Sequence, residues 1–258
     1  MPGNVVSLTL RGGLFTRVVG KRVLFFQQLG STMDEAVLQA EAGAEEGTVV
    51  VAEVQTASRG RQGRTWVSTE GNLYLSVLFY PTLKALPFLS SLGGVAVVRT
   101  INAISGLKPR IKWPNDVLLD GKKVAGILVE SAIAGDNVRY AVLGIGINVS
   151  RSSTETDELS SLATSLNQAS SGDISREELL RELLQQLDAL YLELRQGQAP
   201  MHEWQSIMDT LGRRVRVTWE GESYVGLAEG LDQVGNLQLR LDDGRLVTMA
   251  AGDAMSLR

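Results

Sequence analysis

The sequence predicts an α+β protein, in which a mixed, mainly antiparallel sheet flanked by helices is followed by a small C-terminal β-barrel. Three observations predict it. Hairpin signals follow one another without regular βαβ alternation, two long stretches carry helical apolar stripes, and short strands separated by turn dipeptides begin after Gly212. We therefore divide the chain into a main domain at residues 1–211 and a small β domain at residues 212–258.

The composition suits a folded chain and excludes several classes of protein. The 258 residues are 44% hydrophobic and 21% charged, with a formal net charge of −4. These values exclude global disorder and argue against a general nucleic-acid binder. Because the chain contains no Cys, a disulfide scaffold, a zinc–thiolate site and a cysteine nucleophile are also excluded.

The expected location is the cytoplasm, with no membrane association. We find no apolar run approaching the roughly 20 residues that span a bilayer. The first residues lack the basic-then-apolar order of a signal peptide.

The first half of the chain alternates strand and helix signals. Thr32 and Glu35 have capping-box spacing and predict a helix start near Ser31. Asp120-Gly121 predicts a tight hairpin turn. Short strands are expected before residue 30, and helices are expected on one side of the sheet. Strands are predicted at 48–52, 73–80, 111–113, 117–119, 124–130 and 140–149, and a second helix at 87–105. In the strand at 73–80, alternating apolar residues predict one buried face.

The second half begins with a Ser/Thr-rich loop at 150–173, in which we expect a short helix near Leu162. Ser175 and Glu178 form another capping box, and a leucine stripe follows it to Gly197. This stripe predicts core packing. A further helix is expected at 201–211. It carries His202, the only histidine, which we interpret as structural because no Cys or suitably spaced acid accompanies it.

An arginine-rich and glycine-rich segment is the most informative feature. Arg59, Arg61 and Arg64 lie within six residues, interleaved with Gly60 and Gly63. Guanidinium groups alternating with bare backbone amides can hold a phosphate from several directions. Two other interpretations stay open: a solvated basic loop, or a loop that contacts nucleic-acid phosphate.

Two further clusters could contribute polar groups to a pocket. The KWPND run at 112–116 and Lys123 would place two lysines around one hairpin, with Trp113 as an apolar wall and Asp116 as a candidate metal ligand or amine partner. The alternative is an ordinary strand-turn-strand with exposed lysines. The run at 144–148 is weaker evidence, since alternating glycines also occur in a plain close-packed strand.

Together these motifs resemble those of biotin protein ligases. The resemblance covers about residues 25–150 by motif and extends to the C-terminal β domain. It rests on segments that occur in the family's order: 30–32, Gln55, 59–64 with Trp66, 112–116, 123–128 and 144–148. It implies the class II synthetase-like fold of the biotin and lipoate ligases, with an SH3-like C-terminal domain.

The resemblance also implies an activity. A family member joins biotin to ATP as biotinyl-5′-adenylate, with Mg²⁺, and then passes biotin to a lysine of a biotin carboxyl carrier domain of a biotin-dependent carboxylase. By resemblance, the catalytic residues are Lys123, Arg59 and Arg61. Those binding biotin are Ser31, Thr32, Gln55, Arg59, Gly60, Arg61 and Lys123. Those binding ATP or the adenylate are Arg61, Arg64, Trp66, Lys112, Asn115 and Asn148.

One residue departs from the family pattern. The position after Ser31-Thr32 is often Asn in the family, whereas this chain has Met33. We therefore do not transfer the side-chain contact that this Asn makes to the ureido ring. The metal ligands stay unknown, with Asp116 as the candidate. Family members often pair as homodimers, but no segment of this sequence indicates it.

Two rival functions are weighed against this one. A lipoate ligase shares the fold by family knowledge, but it would lack the KWPND run and the arginine-glycine loop. A DNA-binding repressor would carry an N-terminal helix-turn-helix. Here the 30 residues before Ser31 are broken by glycines and strand-like, so we expect an enzyme without DNA binding.

Overall fold

A computed structural model describes residues 5–6, 13–150, 162–170, 172–219 and 221–257. Its main sheet has eight strands in the order β1-β2-β3-β4-β8-β7-β6-β5. Neighbours β2 and β3 are parallel, and the other pairs are antiparallel. The mixed, mainly antiparallel sheet is thus confirmed. Its strands are β1 (Val5–Val6), β2 (Val23–Leu29), β3 (Val49–Gln55), β4 (Leu73–Phe79), β5 (Arg110–Lys112), β6 (Asp116–Leu119), β7 (Lys122–Ala134) and β8 (Asn137–Ile147).

Two of the helix starts are capped by serine. Ser31 caps α1 (Thr32–Glu41), its hydroxyl accepting from the Met33 amide. The predicted capping box at Thr32 is wrong, because the Thr32 hydroxyl faces Gln55 instead. At Ser175 the N-cap half of the predicted box is confirmed, because the Ser175 hydroxyl accepts from the Glu178 amide. The remaining helices are α2 (Leu89–Ser105), α3 (Leu166–Ala169), α4 (Arg176–Arg195) and α5 (Met201–Ser206). Half of the loop predicted at 150–173 lies outside the described residues.

The helices cover both faces of the sheet, so the expectation of helices on one side is wrong. Val49 and Val51 point into the larger cluster with α2 and α4, whereas Val50 between them points into a smaller cluster under α1. Because helices cover both faces of the sheet, the burial pattern of β4 is also explained. All seven of its residues are buried, not only the alternate ones, and its second face carries the polar Ser76 toward α1.

The turns between β5, β6 and β7 lie where the sequence predicted them. Lys112 and Asp116 pair across the KWPND turn. Asp120 and Gly121 have φ values of 50° and 77°, which are the left-handed values that such a two-residue turn requires. The turn brings Lys123 back beside Asp116.

A second sheet of five antiparallel strands follows α5, in the order β12-β11-β10-β9-β13. Its strands are β9 (Arg214–Trp219), β10 (Glu222–Leu231), β11 (Leu237–Leu241), β12 (Leu246–Met249) and β13 (Asp253–Ser256). Closure of this sheet into a barrel and the boundary at residue 211 stay predictions. Its apolar residues join the same core cluster as the main sheet, so the two sheets are packed together.

Trp113 fastens the two sheets to each other. Its backbone amide donates to the Thr210 hydroxyl at 2.9 Å, and its indole N–H donates to the Gly235 carbonyl at 3.1 Å. The side chain is 2% exposed. Trp113 therefore anchors the two sheets to each other, and it is not among the residues that line the cleft beside α1.

A buried carboxylate fixes the chain ahead of β2. Asp188 of α4 accepts from the amides of Arg17, Val18 and Val19 at 2.9, 2.7 and 2.8 Å. Three backbone donors are thus satisfied by one side chain, which is how a buried charge is tolerated.

Among the described residues, one helical stretch, Leu86–Ser105, is long and apolar enough to cross a membrane. The expectation that no such stretch exists is therefore wrong, judged by the length and composition of this helical stretch. Its most apolar window is 61% buried, because α2 lies between the main sheet and α4. Core packing accounts for this composition.

Candidate ligand-binding cleft

A cleft opens beside α1, between the arginine-glycine loop and strands β4, β7 and β8. It brings together most of the residues that the sequence predicted. Those lining it are Ser31, Thr32, Gln55, Arg59, Gly60, Arg61, Arg64, Trp66, Asn115, Asp116 and Lys123. Lys112 and Asn148 are not among the lining residues.

The wall of the cleft is the indole of Trp66, which lies across two glycines. Gly126 of β7 and Gly146 of β8 pair directly across the sheet. A Cβ at these positions would lie 2.7 Å and 2.9 Å from Trp66 ring atoms, closer than packed atoms allow. Gly146 from the weak 144–148 pattern and Gly126 from the 123–128 segment thus provide the flat surface on which Trp66 rests.

Gly144 makes room for a different side chain. A Cβ there would lie 2.8 Å from the sulfur of Met33. Met33 is buried and lines the cleft, where its flexible thioether suits an irregular space. This residue, which departs from the family pattern, thus forms apolar floor.

A chain of hydrogen bonds connects the floor to the loop. Ser76 donates to Thr32 at 2.9 Å, and Thr32 donates to the Gln55 Oε1 at 3.1 Å. The Gln55 Nε2 donates to Ser68 at 3.1 Å. Ser68 donates to Ser58 at 3.0 Å, and Ser58 donates to the Trp66 carbonyl at 2.6 Å.

The backbone fixes the direction of this chain. The Thr32 amide also donates to the Gln55 Oε1, at 2.8 Å. Because an amide N–H cannot accept, the Gln55 carboxamide must present its oxygen to Thr32 and its NH₂ to Ser68. At the other end, the Trp66 carbonyl can only accept. Sequence reasoning missed Ser58, Ser68 and Ser76; the available signal was Ser76, a serine inside an otherwise apolar strand.

Three of the four cations in the cleft face a carboxylate. Arg59 donates to both Asp34 oxygens at 3.0 and 2.7 Å, and Asp34 raises the pKa of Arg59 above its ordinary value. The Lys123 ammonium lies 2.5 Å from Asp116 and 5.0 Å from the centroid of the Trp66 ring, which is within cation–π range. Arg64 pairs with Asp253.

Arg61 differs from the other three, since among the described residues it makes no ion pair. Its guanidinium donates to the Asn115 Oδ1 and to the Gly252 carbonyl, both at 3.2 Å. Burial lowers the pKa of Arg61, and the nearby Arg64 lowers it further, against the opposite effect of Asp116. Arginine stays charged at neutral pH regardless. An anion entering the cleft would thus meet one positive charge that makes no direct ion pair with a carboxylate among the described residues.

Asn115 braces this arginine, because its amide is fixed to β7. Its Nδ2 donates to the Ile127 carbonyl at 2.7 Å. Asn148, by contrast, donates to the Thr164 carbonyl at 3.1 Å and so fastens the segment before α3. The roles predicted for Lys112 and Asn148 stay predictions.

The described residues contain no group of three His, Cys, Asp or Glu side chains that could hold a metal ion. The carboxylates that line the cleft are Asp116 and Asp253. Sequence reasoning missed Asp253, which lies 189 positions from its partner Arg64, and no local pattern marks it.

The chain matches known families in both of its parts. Residues 25–148 match the Biotin/lipoate A/B protein ligase family, and residues 210–255 match the Biotin protein ligase C terminal domain. The fold and the cleft therefore define a protein of the biotin and lipoate ligase class.

Similar proteins show to which family within this class the chain belongs. The chain is 39% identical over 249 residues to the Bifunctional ligase/repressor BirA of Bacillus spizizenii, covering 94% of this chain and 77% of that protein. It is 36% identical to the Biotin–[acetyl-CoA-carboxylase] ligase of Mycobacterium tuberculosis, covering 90% and 87%. The structure of a biotin protein ligase from Aquifex aeolicus in complex with biotin and ATP superposes with a TM-score of 0.78 at 29% identity, covering 92% of this chain and 99% of that one. This chain belongs to the biotin protein ligase family.

The contact between Trp66 and Gly146 gives a prediction about stability. Gly146→Ala forces a Cβ to within 2.9 Å of the indole, and such overpacking typically costs about 1–3 kcal/mol. In a Trp66→Leu background the same substitution should cost less, because the ring is gone. Urea unfolding of the single and double variants measures the difference. Gly172→Ala is the control, since a Cβ there meets nothing within 4 Å. Equal costs in the two backgrounds would show that the ring does not rest on Gly146.

Proposed function

We propose that this chain is an ATP-dependent ligase that forms biotinyl-5′-AMP from biotin and ATP and then transfers biotin to a lysine of a biotin carboxyl carrier domain. The observation that carries the proposal is the cationic cleft against the Trp66 wall, in a chain of this family. The Aquifex aeolicus neighbour holds biotin and ATP, and the Mycobacterium tuberculosis relative is named for its action on acetyl-CoA carboxylase.

The first step brings two negative groups together. A biotin carboxylate oxygen attacks the α-phosphorus, the bond to the bridging oxygen of the β-phosphate breaks, and pyrophosphate leaves. Fixed cations must offset the charge that gathers in the transition state. Lys123 is the main cation we assign to this task, and Arg61 assists it while closing over the product with Arg59 and Gly60. Arg64, Trp66 and Asn115 are assigned to the adenylate side.

Ser31, Thr32 and Gln55 form the biotin end of the cleft in this proposal. Arg61, with no carboxylate of its own, would receive the first anion. Binding would then exchange partners, since Lys123 and Arg59 would leave their carboxylates for the ligand. In the second step the carrier lysine amine attacks the acyl carbon, AMP leaves, and the amine loses a proton.

Mg²⁺ belongs to the proposal as the partner of ATP. Magnesium is typically held by one or two carboxylates together with substrate phosphates. The donor set of the cleft fits that mode, because Asp116 lines it and could leave Lys123 once a phosphate binds Lys123. A bound Mg²⁺ would supply charge neutralisation at the phosphates.

The compartment we propose is the cytoplasm, in agreement with a chain that needs no oxidised cysteine. Pairing of two copies stays an expectation from the resemblance, and we propose no membrane contact.

The preference for biotin over lipoate tests the proposal directly. Pyrophosphate release is measured with each acid, with ATP and Mg²⁺ in excess. We expect turnover with biotin and little with lipoate, because the arginine-glycine loop and the KWPND run distinguish the two families. A mass shift on an added carrier domain reports the second step. Equal or greater turnover with lipoate would refute the assignment.

Lys123 should be essential for adenylation. Lys123→Ala removes a preorganised cation from the reacting groups, which is typically worth roughly 10²–10³ in rate. The fold should survive, since the ammonium lies in the cleft beside Asp116. Lys122→Ala is the matched control, because Lys122 is the exposed neighbour on the same strand. An unchanged adenylation rate in Lys123→Ala would show that another cation does this work.

Arg61 should retain the intermediate more than it helps to make it. Arg61→Gly removes the bonds to Asn115 and Gly252 and adds backbone freedom to the loop. We expect adenylate formation with weaker ligand binding, faster escape of biotinyl-AMP and labelling of bystander lysines. The measurement is the off-rate of the intermediate. Gln62→Gly, at a position with φ of 55°, controls for backbone freedom alone, and an off-rate like that of wild type in Arg61→Gly would contradict the lid role.

A repressor function is the second candidate, because the Bacillus relative is named a bifunctional ligase/repressor. We propose that this chain does not bind operator DNA. Among the described residues before α1, 5–6 and 23–29 pair in the main sheet and 17–19 are held by Asp188, so these stretches are committed to the ligase domain. Selection from a duplex library at physiological salt, with and without biotin and ATP, should give only weak, salt-sensitive binding. Sequence-specific nanomolar binding would contradict this.

A further inference from the structure

A carboxylate of the second sheet reaches the cleft from a rigid position. Asp253 begins β13, where it pairs with Thr218 of β9. The preceding Gly252 has a φ of 138°, and a Cβ there would lie 2.8 Å from the Val217 side chain and 3.0 Å from the Thr218 carbonyl. The backbone at 252–253 is therefore packed tightly against β9 and holds the carboxylate in place.

The arginine-glycine loop contacts this position twice. Arg64 pairs with the Asp253 carboxylate, and Arg61 donates to the Gly252 carbonyl. Between these arginines the backbone runs through left-handed values at Gln62 and Gly63. The base of the loop is closed by Ser58 and Trp66, whereas its tip is held by the second sheet.

We propose that Asp253 is a positioning residue, which holds the loop at 57–65 over the cleft through Arg64. The C-terminal sheet would then set how long the loop stays closed over the reaction intermediate. The part concerning the intermediate rests on the proposed function, whereas the loop restraint does not.

An alternative role for Asp253 predicts the opposite change in ligand retention, so the two roles can be told apart by experiment. If Asp253 mainly competed with ligand phosphate for Arg64, removing its charge would strengthen ligand retention. The Arg64 and Asp253 side chains are 64% and 24% exposed. Because exposed ion pairs contribute modestly, we expect effects of about two- to five-fold.

The first test uses the ligand-free protein. Trypsin cleaves after arginine, so digestion at Arg59, Arg61 and Arg64 reports opening of the loop. Asp253→Asn should raise the cleavage rate about two- to five-fold at an unchanged melting temperature. Asp242→Asn is the matched control, since Asp242 pairs with Arg214 inside the second sheet. An unchanged cleavage rate in Asp253→Asn overturns the proposal.

The second test measures the dwell time of biotinyl-AMP on the full chain. Asp253→Asn should release it about two- to five-fold faster. Adding this substitution to Arg64→Gln should have no further effect, because the partner is already lost. Slower release, or additive effects, would overturn the proposal. If wild type forms no biotinyl-AMP, the proposed function fails, and the digestion still decides whether Asp253 restrains the loop.

Discussion

The structure of the cleft depends on one steric constraint: two directly paired residues of β7 and β8 must lack a Cβ. Gly126 and Gly146 leave the space in which the Trp66 indole lies. The ring then faces the Lys123 ammonium, and the Trp66 carbonyl receives the bond from Ser58 that closes the base of the loop. The wall, the lysine and the loop therefore depend on the same pair of glycines. A side chain at either position would disturb all three together.

A second constraint on the cleft is electrostatic and concerns how its cations are paired. Lys123, Arg59 and Arg64 each face a carboxylate from a different part of the chain, and Arg61 alone among them has neutral partners. Grouping cations without ligands is unfavourable, and the nearby acids offset that repulsion. In the proposed function, ligand binding would exchange these partners, so Lys123, Arg59 and Arg64 would be oriented by a carboxylate before the ligand enters.

Structural features that depend on a few neighbouring residues could be predicted from the sequence. The Asp120-Gly121 turn, the Ser175 cap and the arginine-glycine loop each follow from a few adjacent side chains, and each lies where expected. Contacts between distant residues were not predictable. Asp253 meets Arg64 only because the second sheet packs against the first, and Trp113 anchors that packing instead of lining the cleft. The cover of both sheet faces was missed because periodicity within one strand does not reveal what packs on its second side.

The hydrogen-bonded chain from Ser76 to the Trp66 carbonyl has one more consequence. Its direction is fixed by two backbone groups, the Thr32 amide and the Trp66 carbonyl. Among the described residues, the Gln55 Nε2 uses one hydrogen on Ser68, its second hydrogen has no acceptor there, and Gln55 lines the cleft. A guest atom with a lone pair fits beside it, whereas a guest N–H would meet another N–H. Reversing that polarity would require every hydroxyl in the row to turn over against a backbone group that cannot follow. We therefore expect this row of hydrogen bonds to favour an acceptor group over a donor group of the same shape beside Gln55.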